Sequence, residues 1–337
     1  APAGSDVASG TATPLRSIGR AAQLAGPGDT VVIHAGVYRE TIQLRRSGEP
    51  GRPIRFAAAP GDRVVVRGTE VLRSTWHPHD GNILKAAAPG EVRQVFVDDA
   101  LMIEARWPNM SLDDLWNRDR WAKAATGSRY GKMVDPQLAK TDIDWTGAVA
   151  TLNVAHQFYT WTRTVAKHAP GSDTFEYAKD LEWITHYADK TRQWEDDRYY
   201  LTGKLAALDT PGEWHYDRAA GMLYLWPPEG KDLSRCSVDT KTRVHGVEAV
   251  NVDHVELTGL HFFGCNFSFR NCNHVTVDRC HLRFPNAVRR IGDPTADDFD
   301  RAETELLGDD NRVTRCSFAF GPTSALQIVG RRNLVQD

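Results

Sequence analysis

A short phrase repeats along the C-terminal third of this 337-residue chain, and it limits what the chain can fold into. Asn or Asp stands two residues before Val, at intervals of 20, 38 and 22 residues, in Asp253-His254-Val255, Asn273-His274-Val275, Asn311-Arg312-Val313 and Asn333-Leu334-Val335. Between these phrases, apolar residues alternate with the period of short β-strands and not with that of a helix. Short strands in a repeat of about 20 to 25 residues predict a solenoid whose coils stack at about 4.8 Å.

The N-terminal segment repeats in the same way. Strand patterns around residues 31–33 and 41–44 return about 22 residues later at 54–56 and 64–66. Residues 14–25 are predicted to form a helix whose apolar face consists of Leu15, Ile18, Ala22 and Ala25. We expect this helix to cap the open first coil, because an uncovered solenoid end exposes unpaired strand groups. The residues expected inside the coils include Val31, Ile54, Val255 and Val275.

The middle of the chain has a different composition. All ten Trp lie between Trp76 and Trp226, whereas all five Cys lie at or after Cys236. A hairpin turn at Asp98-Asp99 and strand patterns flanking residues 218–221 indicate antiparallel pairing. We therefore predict an all-β chain with a capping helix and first coils in residues 1–79, an inserted antiparallel, barrel-like module in 80–232, and resumed coils in 233–337.

Two residue types in the resumed coils have structural interpretations. Cys280 and Cys316 follow the repeated phrase and predict a buried ladder of free thiols, with a Cys265–Cys272 or a Cys280–Cys316 disulfide as the alternative. Asn amides in stacked turns can hydrogen-bond from coil to coil. We expect such a ladder from Asn273, Asn311 and Asn333.

The net charge and the chain ends limit which partners and which location are expected for the protein. The net charge of −3 offers no electrostatic reason for nucleic-acid binding, and no run of eighteen apolar residues predicts a membrane span. The opening Ala-Pro-Ala is typical of a processed protein, so a secreted or periplasmic location is expected. Because Asp337 follows the last phrase with no capping element, we also expect the coils to continue in a longer protein. The pattern does not indicate an oligomeric state.

Several stretches together resemble one superfamily. They are "GTATPLRSIGRAAQLAGPGDTVVIHAGVYRETIQL", "VFVDDALMIEARWPN", "DDRYYLTGKLAALDTPGEWHYDRAAGMLYLWPP" and the repeated coils. They resemble the right-handed parallel β-helix proteins of the pectate-lyase-like superfamily, and more narrowly bacterial carbohydrate-active members with an inserted β-barrel, such as glycoside hydrolase family 141 and its relatives. The resemblance covers nearly the whole chain and implies a glycoside hydrolase acting on a polysaccharide or oligosaccharide. The superfamily also contains lyases and non-enzymatic adhesins, so the reaction stays open.

Glycoside hydrolysis requires two carboxylates that flank the glycosidic bond. Side chains at equal positions on adjacent coils stand about 4.8 Å apart, and those on alternate coils about twice as far apart, so one outer face can supply the pair. The candidate catalytic residues are Glu303, Glu305, Asp310 and Asp337. For Asp310 the alternative is local hydrogen bonding in a Gly-Asp-Asp-Asn turn. Hydrolysis of this kind needs no cofactor or metal.

A polysaccharide lyase is the second hypothesis. β-Elimination from a uronate needs a base and a cation that neutralises the uronate carboxylate. His261, His281, Arg279 and Arg283 are candidates, while Lys241 is the one Lys in the resumed coils. Calcium could serve as the cation, and Asp297, Asp298 and Asp300 form an acidic run, although a solvated loop is the preferred interpretation of that run.

Aromatic residues of the insertion suggest sugar binding. Sugar rings stack on aromatic faces, and the candidate substrate-binding residues are Arg106, Trp107, Tyr159, Trp161, Trp194 and Tyr199. The alternative is core packing, because buried aromatics dominate small β modules. A third functional hypothesis, a non-catalytic carbohydrate-binding module, would have such aromatics without converging acids.

Overall fold

A computed structural model describes residues 1–114, 117–154, 157, 159–180 and 196–337; the predicted sugar-binding residue Trp194 lies outside these ranges. Of the described residues, 39% lie in strands and 8% in helices, so the described part of the chain is mostly β. It divides into two compact units. The first unit comprises Ala1–Glu70, Lys241–Val288 and Asp298–Asp337, and the second comprises Val71–Thr240 and Arg289–Asp297.

The chain begins with a helix and a set of short strands: α1 (Ile18–Leu24), β1 (Thr30–Ile33), β2 (Gly36–Tyr38), β3 (Ile42–Leu44), β4 (Ile54–Ala58) and β5 (Val64–Arg67). The predicted apolar helix face is buried, and α1 packs on β1 and β3. The helix begins at Ile18 and not at residue 14. The reason is that Asp6 Oδ1 accepts the backbone N–H groups of Arg16 and Ser17 at 2.9 Å, which holds this segment outside the helix. Ser17 Oγ then caps α1 by accepting from the N–H of Arg20.

The middle of the chain forms further short strands. They are β6 (Thr69–Val71), β7 (His77–Asp80), β8 (Ile83–Ala87), β9 (Val95–Val97), β10 (Ala100–Leu101), β11 (Ile103–Glu104), β12 (Arg106–Trp107), β13 (Ala122–Lys123), β14 (Lys132–Val134), β15 (Val149–Val154), β16 (Tyr159–Lys167), β17 (Thr174–Tyr177), β18 (Arg198–Thr202), β19 (Glu213–Asp217) and β20 (Met222–Leu225). Short 3-10 turns occur at Leu112–Asp114, Arg118–Arg120, Leu138–Lys140, Leu205–Ala207 and Leu233–Arg235.

Antiparallel pairing dominates the second unit. The predicted hairpin turn is confirmed: Asp98 and Asp99 have φ of 48° and 66°, and they join the antiparallel strands β9 and β10. The predicted strands around residues 218–221 are also confirmed as the antiparallel pair of β19 and β20. Other antiparallel pairs link β12, β18, β15, β16, β17 and β14 in that order, while β11 pairs with β19 in parallel.

The rest of the chain consists of β21 (Val238–Lys241), β22 (His245–Val250), β23 (Val255–Thr258), β24 (Leu260–Phe263), β25 (Asn266–Arg270), β26 (Thr276–Asp278), β27 (His281–Arg283), α2 (Asp298–Arg301), β28 (Glu305–Leu307), β29 (Arg312–Thr314), β30 (Ser317–Ala319), β31 (Gln327–Val329) and β32 (Leu334–Gln336). In the first unit, successive strands join three sheets in turn. The first sheet has the order β1-β4-β23-β26-β29-β32, the second β2-β5-β24-β27-β30, and the third β3-β22-β25-β28-β31. Neighbouring strands in all three sheets are parallel.

The core of the first unit lies between the inward faces of these sheets. Ile54, Val255 and Val275 are buried in it, as predicted. Val31 packs against the same core but is only half-buried, because β1 is the edge strand of the first sheet. Apolar side chains aligned from strand to strand, such as Phe56, Leu257 and Val277, fill the space between the sheets.

The predicted asparagine ladder is present, but it consists of two rows. In the first row, Asn273 Oδ1 accepts from the N–H of Asp309 at 2.8 Å, and Asp309 Oδ1 accepts from Arg331 at 2.9 Å. In the second row, Asn311 Oδ1 accepts from Val275 and Asn333 Oδ1 from Asn311, both at 2.8 Å. The repeated phrase therefore shifts by two residues between Asn273 and Asn311, since Asp309 occupies the position equivalent to Asn273.

All five cysteines are free thiols, so neither alternative disulfide is formed. Cys316 Sγ accepts the backbone N–H of Cys280 at 3.4 Å, which places these two residues next to each other. Burial raises the pKa of the Cys265 thiol to about 11, so that thiol stays protonated at neutral pH.

Candidate active site

The outward face of the third sheet carries a row of polar side chains. Strand register aligns Gln43, Glu248, Ser268, Glu305 and Gln327 on successive strands of this sheet. Their strand neighbours Val247, Ala249, Phe267, Phe269 and Leu306 are buried in the core, so the row faces outward by the alternation of a β-strand. Glu248 and Glu305 thus occupy equivalent positions two strands apart in the sheet, which places their Cα atoms about 9.6 Å apart.

Two residues of the neighbouring strand β25 hold the Glu305 carboxylate in place. Ser268 Oγ donates to Glu305 Oε1 at 3.2 Å, and Arg270 Nε lies 3.5 Å from the same oxygen. Arg270 Nε also donates to Ser268 Oγ at 3.1 Å. Glu248, by contrast, is half-buried and its carboxyl group makes no hydrogen bond within the described ranges. The carboxylate of Glu305 is therefore oriented by one hydrogen bond and one ion pair, while that of Glu248 is open to a ligand.

A bulge in β22 brings His245 to the same face. The register of β22 against β25 shifts between His245 and Val247. Gly246 lies at the bulge, where a Cβ atom would stand 2.8 Å from both Val66 Cγ1 and Cys265 Sγ, so only glycine fits. His245 is 8% exposed, and this burial lowers its pKa below the ordinary 6.5, although its bond to Asn266 and the nearby carboxylates act in the opposite direction. The imidazole is neutral at neutral pH.

These side chains line a cleft of about 660 Å³ in the first unit. It is lined by Thr41, Thr242, Arg243, Val244, His245, Glu248, Arg270, Asp298, Phe299, Arg301, Ala302 and Glu305. The helix α2 contributes Asp298, Phe299 and Arg301 to this lining. The volume falls in the ordinary range of small-ligand sites, about 300 to 1,000 Å³. The cleft therefore combines three carboxyl groups, those of Glu248, Asp298 and Glu305, with a neutral imidazole and guanidinium groups in one concave space.

Of the four predicted catalytic residues, the structure places only Glu305 among the cleft-lining side chains. Asp310 lies on a turn with φ of 58° and pairs with Arg332 at 2.6 Å, and these hydrogen bonds hold the pKa of Asp310 below its ordinary value. Glu303 is half-buried, and Asp337 is exposed beyond β32 of the first sheet. For Asp310 the arrangement favours the turn interpretation. Catalysis by Glu303 and Asp337 stays a prediction.

The predicted substrate-binding residues lie mainly in the core of the second unit. Trp161 and Tyr199 are 0% exposed and Arg106 is 4% exposed. The Tyr199 hydroxyl donates to Asp135 at 3.0 Å, and the Arg106 guanidinium lies 3.8 Å from the centre of the Tyr200 ring. Their burial is a correction to the predicted sugar-stacking surface, because a fully buried ring has no face free for a sugar. Trp107 and Tyr159 are half-buried, and their binding role stays a prediction.

The groups considered for elimination lie elsewhere in the first unit. His261 and His281 lie side by side on adjacent strands of the second sheet, with ring centres 5.1 Å apart. Arg279 pairs with Asp278 at 3.2 Å. Lys241 is 1% exposed and donates to the carbonyl of Pro285 at 2.9 Å, and burial lowers its pKa to about 7. These groups do not line the cleft.

Two further expectations concern metals and membranes. Within the described ranges, no group of three or more His, Cys, Asp or Glu side chains is arranged to hold a metal ion. Of the acidic run, Asp297 forms an ion pair with Arg93, and Asp300 is 8% exposed. No helix in the described part of the chain is long and apolar enough to cross a membrane.

Glu248, His245 and Arg270 were not predicted from the sequence. Counting from the repeated phrase could have aligned Glu248 with Ser268, because each lies five residues before its Asp253 or Asn273. The same count fails for Glu305, which lies four residues before Asp309. The inserted residues between β27 and β28 hide this equivalence, so only the strand register shows that Glu248 and Glu305 share a row.

Comparison with known proteins finds a likeness in sequence over a short segment and likenesses in structure over most of the chain. No protein-family model matches this chain. The "Uncharacterized protein YwoF" of Bacillus subtilis (strain 168) is 37% identical over 76 residues, which are 22% of this chain and 16% of that protein's length. The solved complex of XylC with xylose has a TM-score of 0.46 at 14% identity, over 98% of this chain and 52% of that chain.

A solved structure titled "Glycoside hydrolase" is more similar. It superposes with a TM-score of 0.62 at 15% identity, over 94% of this chain and 72% of that chain. At this identity the likeness concerns the fold. The chain has a fold found in a glycoside hydrolase.

Proposed function

We propose that this protein is a glycoside hydrolase built on a right-handed parallel β-helix, and that Glu248 and Glu305 are its catalytic carboxylates. The β-helix is supported by the three parallel sheets that successive strands join in turn. The fold likeness to a glycoside hydrolase supports the class of enzyme. The observation that carries the proposal is the alignment of Glu248, Ser268 and Glu305 on the face that lines the cleft.

The spacing of the two carboxylates favours inversion at the anomeric carbon. Inverting glycosidases hold their carboxyl groups about 6.5 to 9.5 Å apart, which leaves room for a water molecule, and retaining enzymes about 5 to 5.5 Å apart. Two coil spacings separate the Cα atoms by about 9.6 Å. The Glu305 carboxylate accepts from Ser268, which lies on the strand between them, so it extends towards the strand of Glu248.

The contacts of each carboxyl group suggest its role. Glu305 accepts from Ser268 and lies beside Arg270, which orients an ionised carboxylate to take a proton from the attacking water. Glu248 has no hydrogen bond in the described chain, so its carboxyl group is free to donate a proton to the leaving oxygen. Both steps need only these two groups and water, without a cofactor.

The substrate proposed for the cleft is an oligosaccharide or a segment of a polysaccharide. Arg270 and Arg301 supply hydrogen-bond donors for sugar hydroxyl groups, and Phe299 supplies an apolar surface for a sugar ring. A polysaccharide substrate agrees with the expected secreted or periplasmic location, which is part of the proposal.

Incubation of the protein with a panel of polysaccharides and oligosaccharides tests this function. We expect reducing ends to appear with at least one glycan, without the ultraviolet absorbance of an unsaturated uronate. Boiled protein serves as the control. Unsaturated products would indicate elimination and overturn the hydrolase proposal. Glycan binding without any new reducing end would indicate a non-catalytic module and would overturn it as well.

A further inference from the structure

A chain of hydrogen bonds runs behind His245 from coil to coil. His245 Nδ1 contacts Asn266 Oδ1, Asn266 Nδ2 donates to Asn286 Oδ1 at 2.7 Å, and Asn286 Nδ2 donates to Thr323 Oγ1 at 3.3 Å. Asn266 is 0% exposed and Asn286 is 1% exposed. A buried amide has little access to water, so its neighbours determine which way its oxygen and nitrogen point.

The direction of these hydrogen bonds determines which nitrogen of the His245 imidazole carries the proton. Because Asn266 Nδ2 donates to Asn286, Asn266 Oδ1 is the atom that faces His245 and can only accept. The Nδ1 atom of His245 must then carry a proton. In a neutral imidazole this leaves a lone pair on Nε2.

We infer that Asn266 is a positioning residue, which holds His245 in the Nδ1–H tautomer so that Nε2 accepts a hydrogen bond from a sugar hydroxyl in the cleft. The choice of a sugar as the donor rests on the proposed function. The tautomer itself rests only on the amide chain. Within the described ranges Nε2 has no hydrogen-bond partner, and His245 is one of the cleft-lining residues.

In the part of the chain that the structure describes, none of the charged groups around His245 makes a hydrogen bond to its Nε2. Glu305 on β28 is the proposed ionised base and offers no proton, whereas the proton of Glu248 on β22 is assigned to the leaving oxygen of the substrate. Arg270, at the end of β25, donates to Ser268. Arg243, which precedes β22, pairs with Glu70. Arg270, Arg301 and Asp298 also line the cleft, but within the described ranges none of them makes a hydrogen bond to Nε2, so Nε2 is open to a hydroxyl group of a bound ligand.

Long-range proton–nitrogen NMR correlation of the protein labelled with ¹⁵N-histidine tests the tautomer without any substrate. His245→Gln identifies the resonances of this ring among the twelve His. We expect a protonated Nδ1 and an unprotonated Nε2 at neutral pH. The reverse pattern would overturn the inference, because the amide chain would then run in the opposite direction. This result does not depend on whether the protein hydrolyses a glycan.

Two substitutions of Asn266 separate positioning from a merely structural role. Asn266→Ala removes the acceptor, so we expect the tautomer preference to be lost and KM for the glycan found in the panel to rise about 10-fold. Asn266→Asp keeps an acceptor but favours the imidazolium, which has no Nε2 lone pair. Its KM should therefore rise at low pH and return toward the original value at high pH. A KM for Asn266→Asp that is raised equally at every pH would contradict the positioning role.

Discussion

Replacement of Glu305 by glutamine is expected to lower kcat for glycoside hydrolysis by about 10³-fold, because positioned acid–base groups contribute about 10² to 10⁴ in rate. Glutamine keeps the shape of the side chain and can still bond to Ser268, but it cannot take a proton from water. Glu248→Gln should have an effect of similar size, since it removes the proposed acid. Steady-state kinetics on the glycan found in the panel measure both effects.

Glu303→Gln is the comparison that makes this test specific. Glu303 lies two residues from Glu305 and is half-buried like it, but it is not among the cleft-lining residues. We expect its variant to keep most of the activity. Full activity of Glu305→Gln together with loss of activity in Glu303→Gln would show that the carboxylate row has been misassigned.

Glu213→Gln is expected to change the stability of the protein strongly and in a pH-dependent way. Glu213 in β19 is 1% exposed, and burial, with a smaller contribution from the charge of Asp209, raises its pKa from 4.5 to about 8, while the charge of Arg106 acts in the opposite direction. Below pH 4.5 the carboxyl group is protonated in both the folded and the unfolded chain. Between about pH 4.5 and 8 only the unfolded chain releases the proton, so the free energy of unfolding falls, by on the order of 4 kcal/mol.

Glutamine at position 213 removes this dependence. We therefore expect the variant to be more stable than the original protein at pH 8 and to show a flatter pH profile in urea unfolding between pH 4.5 and 8. Glu176→Gln, an exposed position of the same unit, is the control and should leave the profile unchanged. Parallel profiles for the Glu213 variant and the original protein would contradict a buried, protonated Glu213.

Local patterns in the sequence were sufficient for much of the fold. Alternating apolar residues placed Ile54, Val255 and Val275 in the core, and the adjacent aspartates at positions 98 and 99 indicated a hairpin. The start of α1 was wrong because it depends on Asp6, which is far from the helix in sequence. The two rows of the asparagine ladder were likewise hidden, since the shift between Asn273 and Asn311 arises in a turn and not in a strand.

The candidate site was harder to predict than the fold. Glu305 was found because an outward acid in a strand is a local pattern. Its partner Glu248 lies 57 residues earlier in the sequence, and only the pairing of β22 with β25 and of β25 with β28 aligns the two residues. Composition also misled the assignment of the aromatic residues. Trp161 and Trp107 stand in similar polar stretches, yet one is fully buried and the other half-buried, because burial depends on the partners of β16 and β12.

The anomeric configuration of the first product tests the central proposal most directly. The proton NMR spectrum, recorded in the first minutes of hydrolysis and before mutarotation, shows which anomer is released. Carboxylates on alternate coils, with a water between them, predict that the product has the inverted configuration. A product with retained configuration would contradict the assignment of Glu248 and Glu305 as the catalytic pair.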